Sequence, residues 1–427
     1  MTSHLQTPVP QASETFVYIL ATLDTKESEA TFVRDRLNSH GVKTQLVDVS
    51  CSPAHGSGAD VNRDDIFAAA GSDARAVGAS PDRGQAVTTA AAGAAAWIRT
   101  QHLAGRVAGV LALGGSAGTT IGTSAMRALP LGVPKLMVST LASGQVRHYV
   151  GDKDIFMLNA IVDFAGLNRV TRQVLREAAA AMAGMVRFAR AQESTSNERP
   201  LVAATMFGVT TPCVERAKSI LESAGYEVLV FHATGSGGMA MESLIDDGLF
   251  DGVLDITTTE LADELVGGVL SAGPTRLTAA GRCGIPQVVS AGATDMVNFH
   301  TAASVPAKFT GRKFYQHNSN VTLMRTTPDE CAAIGADMGR KLSAAQGSVR
   351  VLLPMRGVSA IDQTGAPFDD PAARRALADS LRASAPKVEI DELDLHVNDP
   401  DFATYAAQKL LEMMRSRANR HGSQKLA

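Results

Sequence analysis

The sequence predicts an α/β protein made of two Rossmann-like, doubly wound halves, each built on a parallel sheet. Three observations predict it. Short apolar runs alternate with stretches of helical periodicity, the apolar runs end in glycine, hydroxyl or acidic residues, and the plan of the first half returns in the second. The 427 residues also exceed what one hydrophobic core serves, roughly 250–300 residues.

Residues 16–22 form the first apolar run, ending in Leu23-Asp-Thr-Lys26. Ala30, Phe32, Val33 and Leu37 then recur at helical spacing up to Gly41. Residues 42–49 read as a second strand ending at Asp48. Residues 107–113 read as a third, which runs into a glycine-rich turn, Gly114-Gly-Ser-Ala-Gly-Thr-Thr120, ahead of another helix. A strand over 134–139 closes on Thr140-Leu-Ala-Ser-Gly144, and an Ala-rich helix over 169–191 ends the half. Residues 192–200 are polar and aperiodic, as a linker is.

The second half repeats the order: strand 201–206, loop 207–212, helix 213–223, strand 226–231. Residues 250–257 stand where 106–114 stood, and Gly284-Ile-Pro-Gln-Val-Val-Ser290 matches Gly132-Val-Pro-Lys-Leu-Met-Val-Ser139, so an internal duplication is expected. A strand over 349–353, a helix over 370–383, a strand over 388–393 and a helix over 400–414 complete it. The expected organisation is a flexible head (1–14), an N-terminal nucleotide-binding subdomain (15–191), a linker (192–200), a C-terminal subdomain (201–414) and a flexible tail (415–427).

Composition narrows the function. A net charge of −3 with a pI near 6.4 supplies no field to draw nucleic acid or an anionic membrane. No apolar stretch reaches the ~18 residues that a membrane span needs. The four cysteines, Cys51, Cys213, Cys283 and Cys331, form no C-x-x-C pair, which fits a reducing cytoplasmic setting.

In open parallel sheets ligands bind at the carboxyl ends of strands, beside helix N-termini. The strongest candidate there is the glycine-rich segment Gly114, Gly115, Ser116, Ala117, Gly118 and Thr119, whose backbone N–H groups can approach an anion closely. It lacks the lysine of a P-loop and the spacing of the dinucleotide fingerprint, and tight packing alone is the competing explanation. Asp24, Thr25 and Lys26 end the first strand, where a carboxylate can hold Mg²⁺ and a lysine can neutralise phosphate. Cys51 ends the second strand, a common place for ribose recognition, and Arg83 precedes an Ala-rich helix. The second half carries its own polar residues near strand ends: Thr257, Thr258, Thr259, Glu260, Arg276, Arg282, Asp295, Asn298, His300, His317 and Asn318. They suggest either a second small anionic ligand, with Glu260, Arg282 and His317 as catalytic candidates, or buried structural networks. His232 stands alone and reads as structural.

Several motifs occur together in one order: Leu23-Asp-Thr-Lys26, Leu113-Gly-Gly-Ser-Ala-Gly-Thr119, Ser139-Thr-Leu-Ala-Ser-Gly144, Thr205-Met-Phe-Gly-Val-Thr-Thr-Pro-Cys213 and Asp255-Ile-Thr-Thr-Thr-Glu260. With Asp295-Met-Val-Asn-Phe299 and His396-Val-Asn-Asp-Pro-Asp-Phe402, the chain resembles, over residues 16–414, the family of the ATP-binding N-terminal domain of the tomato mosaic virus resistance protein. The resemblance implies a homodimer that binds ATP with Mg²⁺ in its first subdomain. It places nucleotide contacts on Asp24, Thr25, Lys26, Cys51, Arg83, Gly115, Ser116, Ala117 and Gly118. Ala117 replaces a frequent glycine of that family, and Cys51 replaces a hydroxyl residue. A requirement for positive φ at position 117 would make the first change costly. Three functions follow: a cytoplasmic Mg-nucleotide-binding protein, an enzyme of small-molecule metabolism whose carboxylate or phosphate substrate sits in the C-terminal half, or a non-catalytic regulator that changes its subunit or domain contacts on binding ATP, with the 192–200 linker as hinge.

Overall fold

The computed structural model describes residues 14–52, 58–79, 82–189 and 199–424. The chain divides into two compact units, residues 1–194 and 195–427. The head and most of the linker lie outside the described residues.

In the first unit, β1 (Phe16–Ala21) leads into α1 (Leu23–Ser39), followed by β2 (Thr44–Asp48), α2 (Arg63–Ala69), α3 (Ala74–Ala79) and α4 (Arg83–Leu103). Then come β3 (Val107–Gly114), α5 (Ser116–Arg127), β4 (Lys135–Ser139), α6 (Arg147–Val150), β5 (Phe156–Asn159) and α7 (Arg169–Ala189). All five strands are parallel, in the order β2-β1-β3-β4-β5. Side chains alternate along each strand. Val17, Ile19, Leu111 and Leu113 pack against α1 and α7, whereas Tyr18, Leu20, Val110 and Ala112 pack against α2, α4 and α5. Helices on both faces explain why these strands read as continuous apolar runs.

The second unit runs β6 (Leu201–Met206), α8 (Thr211–Ser223), β7 (Glu227–His232), α9 (Ser236–Asp246), β8 (Gly252–Thr257), α10 (Thr259–Val266), α11 (Ala279–Arg282) and β9 (Gln287–Gly292). It continues with β10 (Met296–Phe299), β11 (Phe314–Asn318), β12 (Val321–Arg325), α12 (Pro328–Ser343), β13 (Val349–Pro354), α13 (Pro371–Ser384), β14 (Glu389–Leu393) and α14 (Pro400–Gln424). Its main sheet is parallel, in the order β14-β13-β9-β8-β6-β7. Numbering only the strands of each parallel sheet in chain order, both sheets begin 2-1-3-4-5. A separate antiparallel sheet, β10-β12-β11, was absent from the sequence reading.

Three local expectations are corrected. Asp24, Thr25 and Lys26 lie inside the first turn of α1, which starts at Leu23, with Lys26 bent to φ −129°, ψ 20°. The segment 114–120 is hardly a loop, because Gly115 is the N-cap and α5 begins at Ser116. Finally, α14 runs to Gln424 instead of ending near Met414; the segment 415–421 contains neither proline nor glycine to stop it.

Candidate functional site

The carboxyl ends of β1, β2 and β3 open into a cavity of about 710 Å³, inside the ~300–1,000 Å³ range of small-molecule sites. It is lined by Asp24, Thr25, Lys26, Cys51, Arg83, Gly115, Ser116, Ala117 and Gly118, residues gathered from the starts of α1, α4 and α5 and from the loop after β2. The structure adds Thr22, Ser52, Val77, Gly78, Ala86, Val87, Thr140, Asp163, Phe164 and Ala165, which sequence reasoning missed. Thr140 belongs to the Ser139–Gly144 motif, which the sequence reading assigns to no site; the others are brought in by the sheet order and by loops without motif character.

Three helix N-termini meet this cavity, those of α1, α4 and α5; α4 is capped by the Asp82 side chain, which accepts from Gln85 N (2.9 Å), and the other two differ from each other. The N–H groups of the first turn of α1 are engaged: Leu23 donates to Asp48 Oδ1 (3.3 Å), Asp24 to Ser50 Oγ (3.0 Å), and Thr25 and Lys26 to the Thr22 carbonyl (3.1 and 2.9 Å). Asp48 is buried, and its Oδ1 also accepts from the Ser50 backbone (2.9 Å) and from Ser50 Oγ. This carboxylate therefore caps α1 and does not face a ribose, contrary to the usual role of that strand end.

At α5 the Gly115 N-cap has no side-chain partner, and the Ser116, Ala117 and Gly118 N–H groups have no acceptor among the described residues. Three unused donors at the positive end of a 12-residue helix face the cavity. No residue from 114 to 120 has positive φ, so Ala117 sits in helical geometry without strain.

Gly114 and Thr119 do not line the cavity. A Cβ on Gly114 would lie 2.9 Å from Gly118 Cα, and one on Gly118 would lie 3.1 Å from the Leu113 carbonyl oxygen. Both glycines thus let β3 and α5 pack closely, and Gly118 faces the cavity as well. Buried Thr119 spends its hydroxyl on the Gly115 carbonyl (2.8 Å) and Ser139 Oγ (2.7 Å).

Lys26 Nζ donates to the Phe164 carbonyl, and the buried Glu29 accepts from Gly166 N (2.8 Å), so α1 pins the 163–166 segment as one wall. Exposed Arg83 begins α4 after the Asp82 cap and has no hydrogen-bond or ion-pair partner among the described residues. Burial, reinforced by the Asp24 charge, pushes the Cys51 thiol up, which makes it a neutral lining group and no nucleophile at neutral pH. Among the described residues two cations, Lys26 and Arg83, and two carboxylates, Asp24 and Asp163, line the cavity.

In the second unit, internal carboxylates take the backbone donors at the starts of α9 and α11. Glu260 is fully buried, takes Gly235 N (2.7 Å) and Gly238 N (3.0 Å) at the start of α9, and pairs with Arg276 (2.7 Å). A Cβ on Gly238 would meet this carboxylate at 2.1 Å, so the glycine turn serves an internal anion. Glu242 likewise accepts from the Leu277, Thr278 and Ala279 amides, and Asp255 holds Arg276 bidentately.

The catalytic candidates are not brought together. Glu260 is sealed inside, Arg282 forms an exposed pair with Asp246 (2.6 Å), and His317 is exposed on β11. His300 and Asn318 are exposed too, whereas Asn298 is buried against Asp263. Asp295, Arg325 and Arg374 surround a space of only about 20 Å³, room for one water. Among the described residues no three His, Cys, Asp or Glu side chains cluster as a metal site, and no helix is long and apolar enough to cross a membrane.

Residues 15–191 match the model of the uncharacterised protein family UPF0261 N-terminal domain, and residues 199–414 match that of its C-terminal domain. The chain is 46% identical over 400 residues to a UPF0261 protein of Clostridium tetani, covering 93% of this chain and 98% of that one. It is 47% identical over 393 residues to the UPF0261 protein RA0729 of Rhizobium meliloti, covering 91% and 97%. It is also 41% identical over 424 residues to the ToMV resistance protein Tm-1(GCR237) of Solanum lycopersicum, covering 94% of this chain but only 56% of the tomato protein.

Proposed function

Since the chain belongs to the UPF0261 family, we propose that its first unit binds the phosphates of a nucleotide, ATP with Mg²⁺, in the cavity at the carboxyl edge of the β2-β1-β3-β4-β5 sheet. One observation carries this reading: at α5 the donors of the first turn are unused and face the cavity, while those of α1 beside it are consumed by Asp48, Ser50 and Thr22. A helix N-terminus in that state is a ready anion site.

The residues present fit Mg-nucleotide. Ser116, Ala117 and Gly118 would receive phosphate oxygens, and Lys26 and Arg83 would neutralise them. Asp24 would help hold the cation, as suits a metal that binds through one or two carboxylates plus phosphates. Since Asp24 and Asp163 accompany the two cations among the described lining residues, the α5 amides and a divalent ion would share the phosphates' charge with Lys26 and Arg83. We extend the reading to a homodimer in the cytoplasm and to an internal duplication behind the shared strand order; these rest on the sequence resemblance and on that order.

Isothermal titration tests it with ATP, with and without Mg²⁺, on the wild-type protein and the Lys26→Ala variant. The expected result is Mg²⁺-dependent binding in the wild type, weakened about tenfold or more in the variant, the cost of one charge-assisted contact. Binding unaffected by Lys26→Ala would refute the assignment.

A further inference from the structure

Resting on the reading of the cavity as a phosphate site, we propose that Thr140 is a further contact of the bound phosphate. Its side-chain hydroxyl donates to the phosphate group that the first-turn amides of α5 hold.

Sheet register brings Thr140 there. In the parallel pair of β3 and β4, Gly114 stands opposite Ser139, each the last residue of its strand, so the residues that follow, Gly115 and Thr140, leave the carboxyl edge side by side. The Thr140 N–H donates to the Gly114 carbonyl (3.3 Å), which joins the two chain segments past their last pair. One residue earlier, buried Ser139 shares a hydrogen bond with Thr119 Oγ1 of α5 (2.7 Å) and accepts from Leu141 N (3.0 Å). The backbone around Thr140 is thereby fixed to the start of α5.

Gly115 is the N-cap of α5, the position at which serine, threonine, asparagine or aspartate commonly closes a helix with its own side chain. Glycine brings none. A Cβ placed on Gly115 would lie 3.7 Å from Thr140 Oγ1, so the neighbouring strand supplies a hydroxyl close to where a capping side chain would begin. That hydroxyl does not cap the helix, because it makes no hydrogen bond among the described residues and the Ser116, Ala117 and Gly118 amides are unused. At the closed α1 start, by contrast, the hydroxyls of Thr22 and Thr25 lie within hydrogen-bonding distance of each other (3.3 Å).

Thr140 is half-buried and lines the cavity together with residues 115–118. Its hydroxyl proton rotates to suit its partner, whereas the amide protons of α5 point in fixed directions. An ionised phosphate oxygen beside those amides takes such a bond at roughly twice the strength of a neutral acceptor.

Calorimetry tests this with Mg-ATP and with inorganic tripolyphosphate on the wild type, Thr140→Val and Thr140→Ser. Valine keeps the branched shape and loses the hydroxyl; serine keeps the hydroxyl and loses the methyl. Thr140→Val should weaken both ligands about tenfold or more, the cost of a hydrogen bond to a charged group, and Thr140→Ser should bind both nearly as the wild type does. Thr140→Ala should match Thr140→Val. Wild-type affinities in Thr140→Val would overturn the proposal, and so would weakened ATP with unchanged tripolyphosphate, which would set the hydroxyl against the nucleoside. Equal losses in Thr140→Ser and Thr140→Val would also overturn it, by tracing the effect to packing. A wild-type protein that binds neither ligand would instead defeat the phosphate site itself, and this contact with it.

Discussion

Asp263 is enclosed on α10, where it accepts the Asn298 backbone N–H (2.8 Å) and Asn298 Nδ2 (2.6 Å). Burial outweighs both bonds and pushes its carboxyl up to about 7. Asp295 is raised as well, by burial first and by the neighbouring Asp362 second. Between the ordinary carboxylate range and pH 7, folded Asp263 keeps a proton that the unfolded chain has released, so stability falls as pH rises through that window and levels off above it. One such group contributes a slope of about 1.4 kcal/mol per pH unit. Denaturant unfolding of wild type and Asp263→Asn between pH 5 and 7 should therefore show the variant's stability falling less steeply, by about that amount. Parallel curves would mean that Asp263 ionises normally in the folded protein.

At the scale of elements, the α1 and α5 starts at the cavity carry opposite assignments. The α1 start is structural, closed by residues 48 and 50 at the end of β2. Ser50→Ala removes the acceptor for Asp24 N and should cost ~1 kcal/mol, as a lost cap does. That corresponds to a fall of about 2–4 °C in the unfolding midpoint of a unit this size, readable by calorimetric scanning; an unchanged midpoint would contradict the capping role.

The strands and most helices were legible because strands buried on both faces leave apolar runs, and because residues such as Gly41 and Gly225 mark helix ends with positive φ. The antiparallel β10-β12-β11 sheet was not legible, since its strands are short and β11 is largely exposed and polar. Within the site, the glycine-rich segment and Lys26 announced themselves locally. Asp163, Val77 and Val87 did not, because only the pairing of distant strands brings them to one cavity. That Glu260, Arg282 and His317 lie apart was not legible for a related reason: polar residues near strand ends look alike in sequence whether they face a ligand or, like Glu260, fill a helix N-terminus from inside.

Across the whole molecule the two units share a strand order but end it differently. In the second, Glu260 and Glu242 occupy the backbone donors at the starts of α9 and α11. In the first, the donors of α5 are left open onto a cavity of about 710 Å³. The proposal that the first unit holds a nucleotide by its phosphates follows from that contrast. A crystal structure of the protein with Mg²⁺ and a non-hydrolysable ATP analogue tests it most directly. The account predicts a phosphate group within hydrogen-bonding distance of the Ser116, Ala117 and Gly118 amides and close to Lys26 Nζ; an analogue bound elsewhere, with the α5 N-terminus holding only water, would contradict it.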